Sequence, residues 1–459
     1  MKKRFAGGIP FKRINDEFDK IVMPEVSSVI LEGEHERLSP VQIGHQIKKG
    51  APVFCETEEF SAICAGISGT VERVERGNDT AKVTIKASED FSGQTALDPI
   101  DKTLSELTPD EISLLLRKAG VPVPKVKKDA KFLTVDCGGS PYDMSRLYLC
   151  TKYPNEVIGG ARILMKLLNA KKCYFAIPSS CLKAAQSIED HIASRKPIIK
   201  ISLYKEKYPS IPQLTVGAIY GVEISAYRNP EDVGYPVITP HLCYWTYQAL
   251  ANGVPFGSDF ISFTDENDVT SVYLVPIGAR LYEVFDVPIG YKLVRAEKVF
   301  GAELDEDERM KNGIFALTIV KDEPYPIERE KSCIGCQRCI NVCPSGIIPN
   351  QLYQATENKA LTPQLKNELL SCFACGCCSA VCPVGLPLYE IISNARNEYL
   401  SSPSDEPSDT VGDEVVELTQ VPLDADDDAS TEKTVNKADG QIGENTDLKG
   451  IFSEGEGGK

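Results

Sequence analysis

Nine of the sixteen cysteines in this 459-residue chain fall between positions 333 and 382. They form two runs of one pattern, C-x2-C-x2-C-x3-C-P. The first is Cys333, Cys336, Cys339, Cys343 and Pro344; the second is Cys372, Cys375, Cys378, Cys382 and Pro383. Thiolates are soft ligands, and this spacing is one that grips a four-iron, four-sulfur (4Fe–4S) cluster. Three cysteines two residues apart let a tight loop wrap three corners of an iron–sulfur cube. The fourth is carried past the loop and, where two runs share a domain, ligates the other cube. The expected metal-ligand sets are therefore Cys333, Cys336, Cys339 with Cys382, and Cys372, Cys375, Cys378 with Cys343. A pair of zinc sites is the competing reading. Zinc takes four ligands, commonly as two C-x2-C pairs, and two complete runs, each closed by proline, speak against it. Cys377 lies off the register and is expected to sit beside the second cluster without ligating it.

The runs need elements to hold them. Between them, Leu361-Thr-Pro-Gln-Leu-Lys-Asn-Glu-Leu-Leu is amphipathic and reads as a helix starting at Thr362-Pro363. A second helix over about 386–400 closes a ferredoxin-type, α-helical two-cluster domain, placed at 323–400. The other seven cysteines are scattered, and buried cysteine is a common small core residue. Cys137 is singled out among them because it stands at a strand end before Gly138-Gly139, a turn that could expose a redox-active thiol. His35, His45, His191 and His241 show no ligand spacing. No Ser/His/Asp set or carboxylate pair can be argued, so no catalytic residue is assigned.

Upstream, Ser39-Pro-Val-Gln-Ile-Gly-His-Gln-Ile-Lys-Lys-Gly-Ala-Pro-Val-Phe54 and Ile67-Ser-Gly-Thr-Val-Glu-Arg-Val74 are short β runs punctuated by glycine. They resemble the barrel-sandwich hybrid of lipoyl and biotinyl carriers, placed at 1–100, with no lysine at the hairpin tip to carry a prosthetic group. Helices are expected over 109–119, from the start signal Thr108-Pro109-Asp-Glu, over 156–168 and over 182–194. Strands are expected over 131–136 and 173–177. Strand–helix alternation implies a parallel, Rossmann-like α/β domain, placed at 101–235. Residues 262–290 read as β-rich, around 269–276 and 278–285.

Apolar residues make up 42% and charged residues 25%, which excludes a fibre, a rod or a chain disordered throughout. No stretch approaches the ~18 apolar residues of a membrane span. Met-Lys-Lys-Arg at the start has no apolar run behind it, so no secretory leader is expected and the protein is expected in the cytoplasm. The net charge of −16 excludes a nucleic-acid footprint. Residues 401–459 carry −12 of it and one aromatic, Phe452, and are expected to form a disordered acidic tail.

The order of segments resembles one family, the C subunit of the Rnf electron-transport complex and its relatives. Phe5-Ala-Gly-Gly-Ile-Pro is similar to its opening motif, Thr239-Pro-His-Leu-Cys-Tyr-Trp to a later segment, and Leu274-Val-Pro-Ile-Gly-Ala-Arg-Leu-Tyr-Glu-Val-Phe to its β-grasp (SLBB-like) module, placed at 236–322. The resemblance implies a peripheral protein on the inner face of the cell membrane, with redox partner proteins, membrane-embedded electron-transport subunits among them, and no direct membrane insertion. It also implies flavin mononucleotide (FMN), held by a Gly-rich loop. Here Ala119-Gly120-Val-Pro-Val-Pro-Lys-Val stands where that loop belongs. Pro122 and Pro124 have no N–H to offer a phosphate. Ser140 replaces an expected glutamate before Pro141-Tyr142, and Glu297-Lys-Val-Phe-Gly301 is an eroded form of a third glycine segment. The expectation is two 4Fe–4S clusters and a flavin pocket that is lost; the alternative is a pocket rebuilt on Gly138, Gly139, Gly159 and Gly160. Functionally, the expectation is a relay of single electrons between proteins, an oxidoreductase component rather than a self-contained catalyst. The alternatives are a flavin-containing NADH- or ferredoxin-linked oxidoreductase subunit, or a docking scaffold with structural clusters.

Overall fold

The computed structural model describes residues 3–4, 7–11, 13, 21–88, 91, 93–98, 100, 102–125, 129–192, 198–296, 302–323, 332–401 and 416–417. The eroded segment at 297–301 and nearly all of the acidic tail lie outside them. In the tail, Val416–Glu417 pairs antiparallel with Val222–Glu223. These two residues lie within the tail expected to be disordered; an open strand edge offers N–H and C=O groups to any passing backbone.

Nearest the start of the chain is an antiparallel sheet ordered Ser28–Glu34, Thr80–Ala87, Gly69–Arg76 and Gln46–Ile47, with a smaller pair, Pro52–Phe54 and Ile63–Cys64. Alternation sets which side is buried: Ala81, Val83 and Ile85 point inward along Thr80–Ala87. Their core is not private. Val29, Leu31, Phe54 and Val83 join Ile261, Val275, Phe285 and Leu317 in one apolar cluster. The latter group comes from a mixed sheet ordered Tyr291–Arg295, Ala316–Lys321, Ser258–Thr264, Thr270–Pro276 and Ile21–Val22, and from the turn that follows it.

The α/β layer is a parallel sheet ordered Lys3–Arg4, Ile199–Lys205, Cys173–Pro178, Leu133–Asp136 and Val237–Ile238. Three boundary expectations need correction. Lys3–Arg4 and Ile21–Val22 lie outside the antiparallel sheet where the barrel was expected, because Lys3–Arg4 extends the α/β sheet and Ile21–Val22 extends the mixed sheet. The α/β layer runs past 235, because Val237–Ile238 is its edge strand and the helix Pro240–Asn252 follows directly from it. Residues 278–285 are not a strand: Gly278 turns left-handed (φ 84°) and Leu281–Val284 is a helical turn.

The helices start where the residues dictate. Thr108 and Glu111 form a reciprocal capping box ahead of Pro109–Lys118. The helix Pro154–Leu167, here the glycine helix, crosses Pro240–Asn252, here the tryptophan helix. A Cβ on Gly160 would run into the Cys243 carbonyl, and one on Gly159 into the Tyr247 ring. Backbones this close leave no room to adjust, so Gly160→Val should cost about 3 kcal/mol in urea unfolding. An unchanged midpoint would show that the two helices can part.

Candidate functional site: two cysteine cavities and the edge of the parallel sheet

The cysteine runs fold into two matched halves. Each loop carries left-handed residues at the same two places, Gly335 and Gln337 in the first, Ala374 and Gly376 in the second. Each Cys-Pro is followed by a left-handed glycine, Gly346 (φ 66°) or Gly385 (φ 67°). The curl turns backbone N–H groups toward sulfur: Gly335 N donates to Cys333 Sγ at 3.5 Å, and Ala374 N to Cys372 Sγ at 3.4 Å. Such donors favour charge on sulfur. Helices Pro349–Glu357, Pro363–Leu370 and Leu388–Ser401 brace the loops around Leu352, Leu369 and Leu388. Thr362 caps the second of these, with Pro363 in its first turn.

The halves exchange one cysteine. One cavity is lined by Cys333, Cys336, Cys339 and Cys382, the other by Cys343, Cys372, Cys375 and Cys378. Among the described residues no group of three or more Cys, His, Asp or Glu closes on a point to hold a single ion. Burial pushes the Cys372 thiol up to about 11 and Cys378 to about 12. Metal must therefore displace protons from these sulfurs on binding. Cys377 also borders the second cavity, but its Sγ donates to the Tyr208 carbonyl at 3.7 Å.

The second cavity is tied to the α/β sheet by residues that the sequence marked only as a family motif. Gly8 N donates to the Val342 carbonyl at 2.8 Å, and Gly7 lies too close to Cys343 for any side chain. Ile9 and Tyr208 exchange backbone hydrogen bonds at 2.8 Å, and the Tyr208 hydroxyl donates to the Cys375 carbonyl at 2.7 Å. Arg13 then enters the crevice at the carboxyl ends of the parallel strands, where open α/β sheets usually take ligands. Its Nε pairs with Glu206 at 2.9 Å, and its other nitrogens donate to the carbonyls of Gly138, Ser140 and Asp143. Ser180 donates to the other Glu206 oxygen at 2.9 Å. Burial still holds the Glu206 carboxyl above its ordinary range, against the pull of Arg13. Beside it Arg146 bridges Asp136 at 2.6 Å and Asp143 at 2.7 Å.

Two alternatives fail here. Cys137 is fully buried, 3.6 Å from Cys150 Sγ, and burial pushes its thiol well up, so it is not an exposed redox thiol. The strand end that seemed to open onto a turn is roofed by Arg13 and Tyr204. Nor do the four glycines build a pocket. The Tyr204 hydroxyl fills the space at Gly138, Asp143 and Arg146 that at Gly139, and the tryptophan helix that at Gly159 and Gly160.

A separate cavity of about 310 Å³ lies at the head of the tryptophan helix. Pro122, Pro124, Trp245, Phe256 and Phe315 wall it, with His241, Asp259, Glu231 and Asn312 as polar lining. None of its described lining residues is Lys or Arg. The helix start cannot cradle a phosphate as it stands: Pro240 has no N–H, and Leu242 N is taken by the Thr239 hydroxyl. Trp245 Nε1 and Phe260 N donate to Asp259 Oδ1 at 3.0 and 2.8 Å, yet burial pushes this carboxyl up to about 7. FMN carries a phosphate, and two acids without a described cation do not fit it.

A family model described as a 4Fe-4S dicluster domain matches residues 332–386, and one described as a Nuo51 FMN-binding domain matches 123–242. The C subunit of the ion-translocating oxidoreductase complex of Buchnera aphidicola is 25% identical over 383 residues, 78% of this chain and 80% of the relative. The C subunit of the proton-translocating ferredoxin:NAD(+) oxidoreductase complex of Clostridium ljungdahlii is 24% identical, over 68% of this chain and 74% of the relative. The Na(+)-translocating counterpart of Acetobacterium woodii is 22% identical, over 68% and 77%. Among solved structures, an NAD+-reducing NiFe hydrogenase in the air-oxidised state aligns over 64% of this chain and 63% of its own, with a TM-score of 0.42 and 13% identity.

Proposed function

We propose that this chain, which belongs to the C-subunit family of the Rnf-type ion-translocating oxidoreductases, works as the iron–sulfur electron-transfer component of such a membrane-associated complex. The observation that carries the reading is the exchange of one cysteine between two four-cysteine cavities. Cys333, Cys336, Cys339 and Cys382 would hold one 4Fe–4S cluster, and Cys372, Cys375, Cys378 and Cys343 the other. A bound cluster takes up and gives back one electron at a time. The chain's part is to set the clusters side by side by sharing cysteines, to aim N–H groups at sulfur, and to seat the second cluster against Tyr208 and Gly8. No described helix is long and apolar enough to cross a membrane. Attachment to the inner face would run through protein partners, the other members of the complex.

We read the antiparallel sheets as a barrel-sandwich hybrid, the mixed sheet as a β-grasp module and the parallel layer as the flavin-subunit type of α/β domain. The FMN-domain match at 123–242 favours a second reading, with flavin bound. Against it stand Arg13 in the sheet crevice and the two acids in the neighbouring cavity, so we favour a flavin-free relay. Anaerobically purified protein should hold about eight iron and eight acid-labile sulfide per chain, bleach with dithionite, and release no flavin on acid extraction. Stoichiometric flavin, or NADH-dependent bleaching, would reject the flavin-free reading; absent sulfide would reject the clusters.

A further inference from the structure

We infer that Tyr208 is a positioning residue for the second cluster: acting through Cys375, it keeps water from that cluster's loop and so holds its reduction potential down, an influence the first cluster does not feel. The inference rests on the reading of the two cavities as 4Fe–4S sites. The two loops share one backbone course but not one environment. In each, a backbone N–H reaches the sulfur of the first cysteine, from Gly335 or from Ala374. Residues 334–338 of the first loop are exposed throughout, Cys336 among them, and Ile334 is 64% exposed. None of the matching residues 373–377 is exposed, and Gly376 and Cys377 are buried.

Tyr208 supplies the cover. It follows the strand Ile199–Lys205 and is itself buried. Its hydroxyl donates to the Cys375 carbonyl at 2.7 Å, and its own carbonyl accepts from the Cys377 thiol at 3.7 Å, so one residue clasps the loop at two points. Tyr208, Val342 and Cys377 form a small apolar core, with Ile9, Phe11, Cys375 and Val381 packed on it. The paired backbone bonds with Ile9 fix Tyr208 in turn. Among the described residues, the hydrogen bonds of the first loop stay within its own domain, as between Cys339 Sγ and Asn350 at 3.9 Å.

Reduction adds an electron to a group that four thiolates already make negative. Water favours that added charge, and an apolar cover withholds the favour. Solvent exposure and hydrogen bonds to sulfur are accordingly two of the levers on a cluster's potential. Tyr208 works on the first lever only. Its one O–H is spent on a carbonyl and not on a sulfur, so it takes water away and gives no donor in return. Arg396, whose charge favours a thiolate at Cys372, pulls the other way.

The test is a potentiometric titration of the anaerobically purified, cluster-loaded protein, with the reduced clusters read by electron paramagnetic resonance. Tyr208→Ala should make the second cluster easier to reduce by at least about tenfold, a rise of about 59 mV for a one-electron step, and leave the first where it is. Tyr208→Phe keeps the ring and loses only the bond to the Cys375 carbonyl. It should fold, keep its iron and rise by a smaller amount. Repeating both in the Cys382→Ala background, where the second cluster should stand alone, identifies which step moved. An unmoved or lowered second potential in either variant, or an equal shift of both clusters, overturns the inference. If Tyr208→Ala sheds the second cluster, Tyr208→Phe decides by itself. A parent protein without acid-labile sulfide is a different failure, that of the cluster reading.

Discussion

Cys382→Ala should strip the cluster gripped by the first cysteine run and leave the one beside its own run. The single variant should keep roughly half of its iron and sulfide, about four of eight each. Pairs of substitutions decide the assignment. Cys333→Ala with Cys382→Ala removes two sulfurs from one cavity and should lose no more iron than Cys382→Ala. Cys372→Ala with Cys382→Ala touches both cavities and should leave almost none. If each run instead closed on its own fourth cysteine, the two double variants would trade places. Cys377→Ala is the control: its sulfur is bonded to the Tyr208 carbonyl, and both clusters should survive.

Arg13→Ala should be the most damaging substitution outside the cysteines. It removes the partner of a buried carboxylate and the donor to three buried carbonyls. Breaking a buried pair in this way costs about 3–5 kcal/mol. The loss should depend on pH. Burial already holds Glu206 above its ordinary range, and without Arg13 it is held higher still. A carboxyl whose folded value is raised favours folding when protonated, and that advantage disappears as pH rises through the folded value. The variant should therefore lie nearest the parent at about pH 5 and fall away toward about pH 8. Thermal melts at the two pH values check this; a deficit independent of pH would mean that Glu206 is not left charged and buried. Glu206→Gln in the same background should recover part of the loss at the higher pH.

Much of the candidate site was legible because the spacing of its cysteines is a local property of the chain. The spacing of eight cysteines and two prolines is written in the chain, and so is the capping that starts Pro109–Lys118 and Pro363–Leu370. The left-handed pairs at Gly335 with Gln337 and Ala374 with Gly376 had a faint signal, the repeat of one loop in the other, but Gln337 and Ala374 are not residues that advertise a positive φ. The glycine helix was readable as a helix; that Gly160 meets the Cys243 carbonyl was not, because the partner lies 83 residues away. The misread of 278–285 as strand has a similar cause. An apolar run cannot say whether a glycine beside it continues the strand or turns it.

What the sequence determined by itself was the pattern of the dicluster domain: eight cysteines in two matched runs, and the loops that present them. Neighbouring residues set that, and local backbone geometry carries it. Tertiary structure alone decided which surfaces remain for anything else. Cys137 looked like a thiol at an open turn until Arg13, from the far end of the chain, was found roofing it. His241 showed no ligand spacing along the chain; the fold sets it beside Asp259 in the wall of one cavity. Burial and the identity of distant neighbours are properties of the packed chain, and they govern charge and access more strongly than any spacing along it.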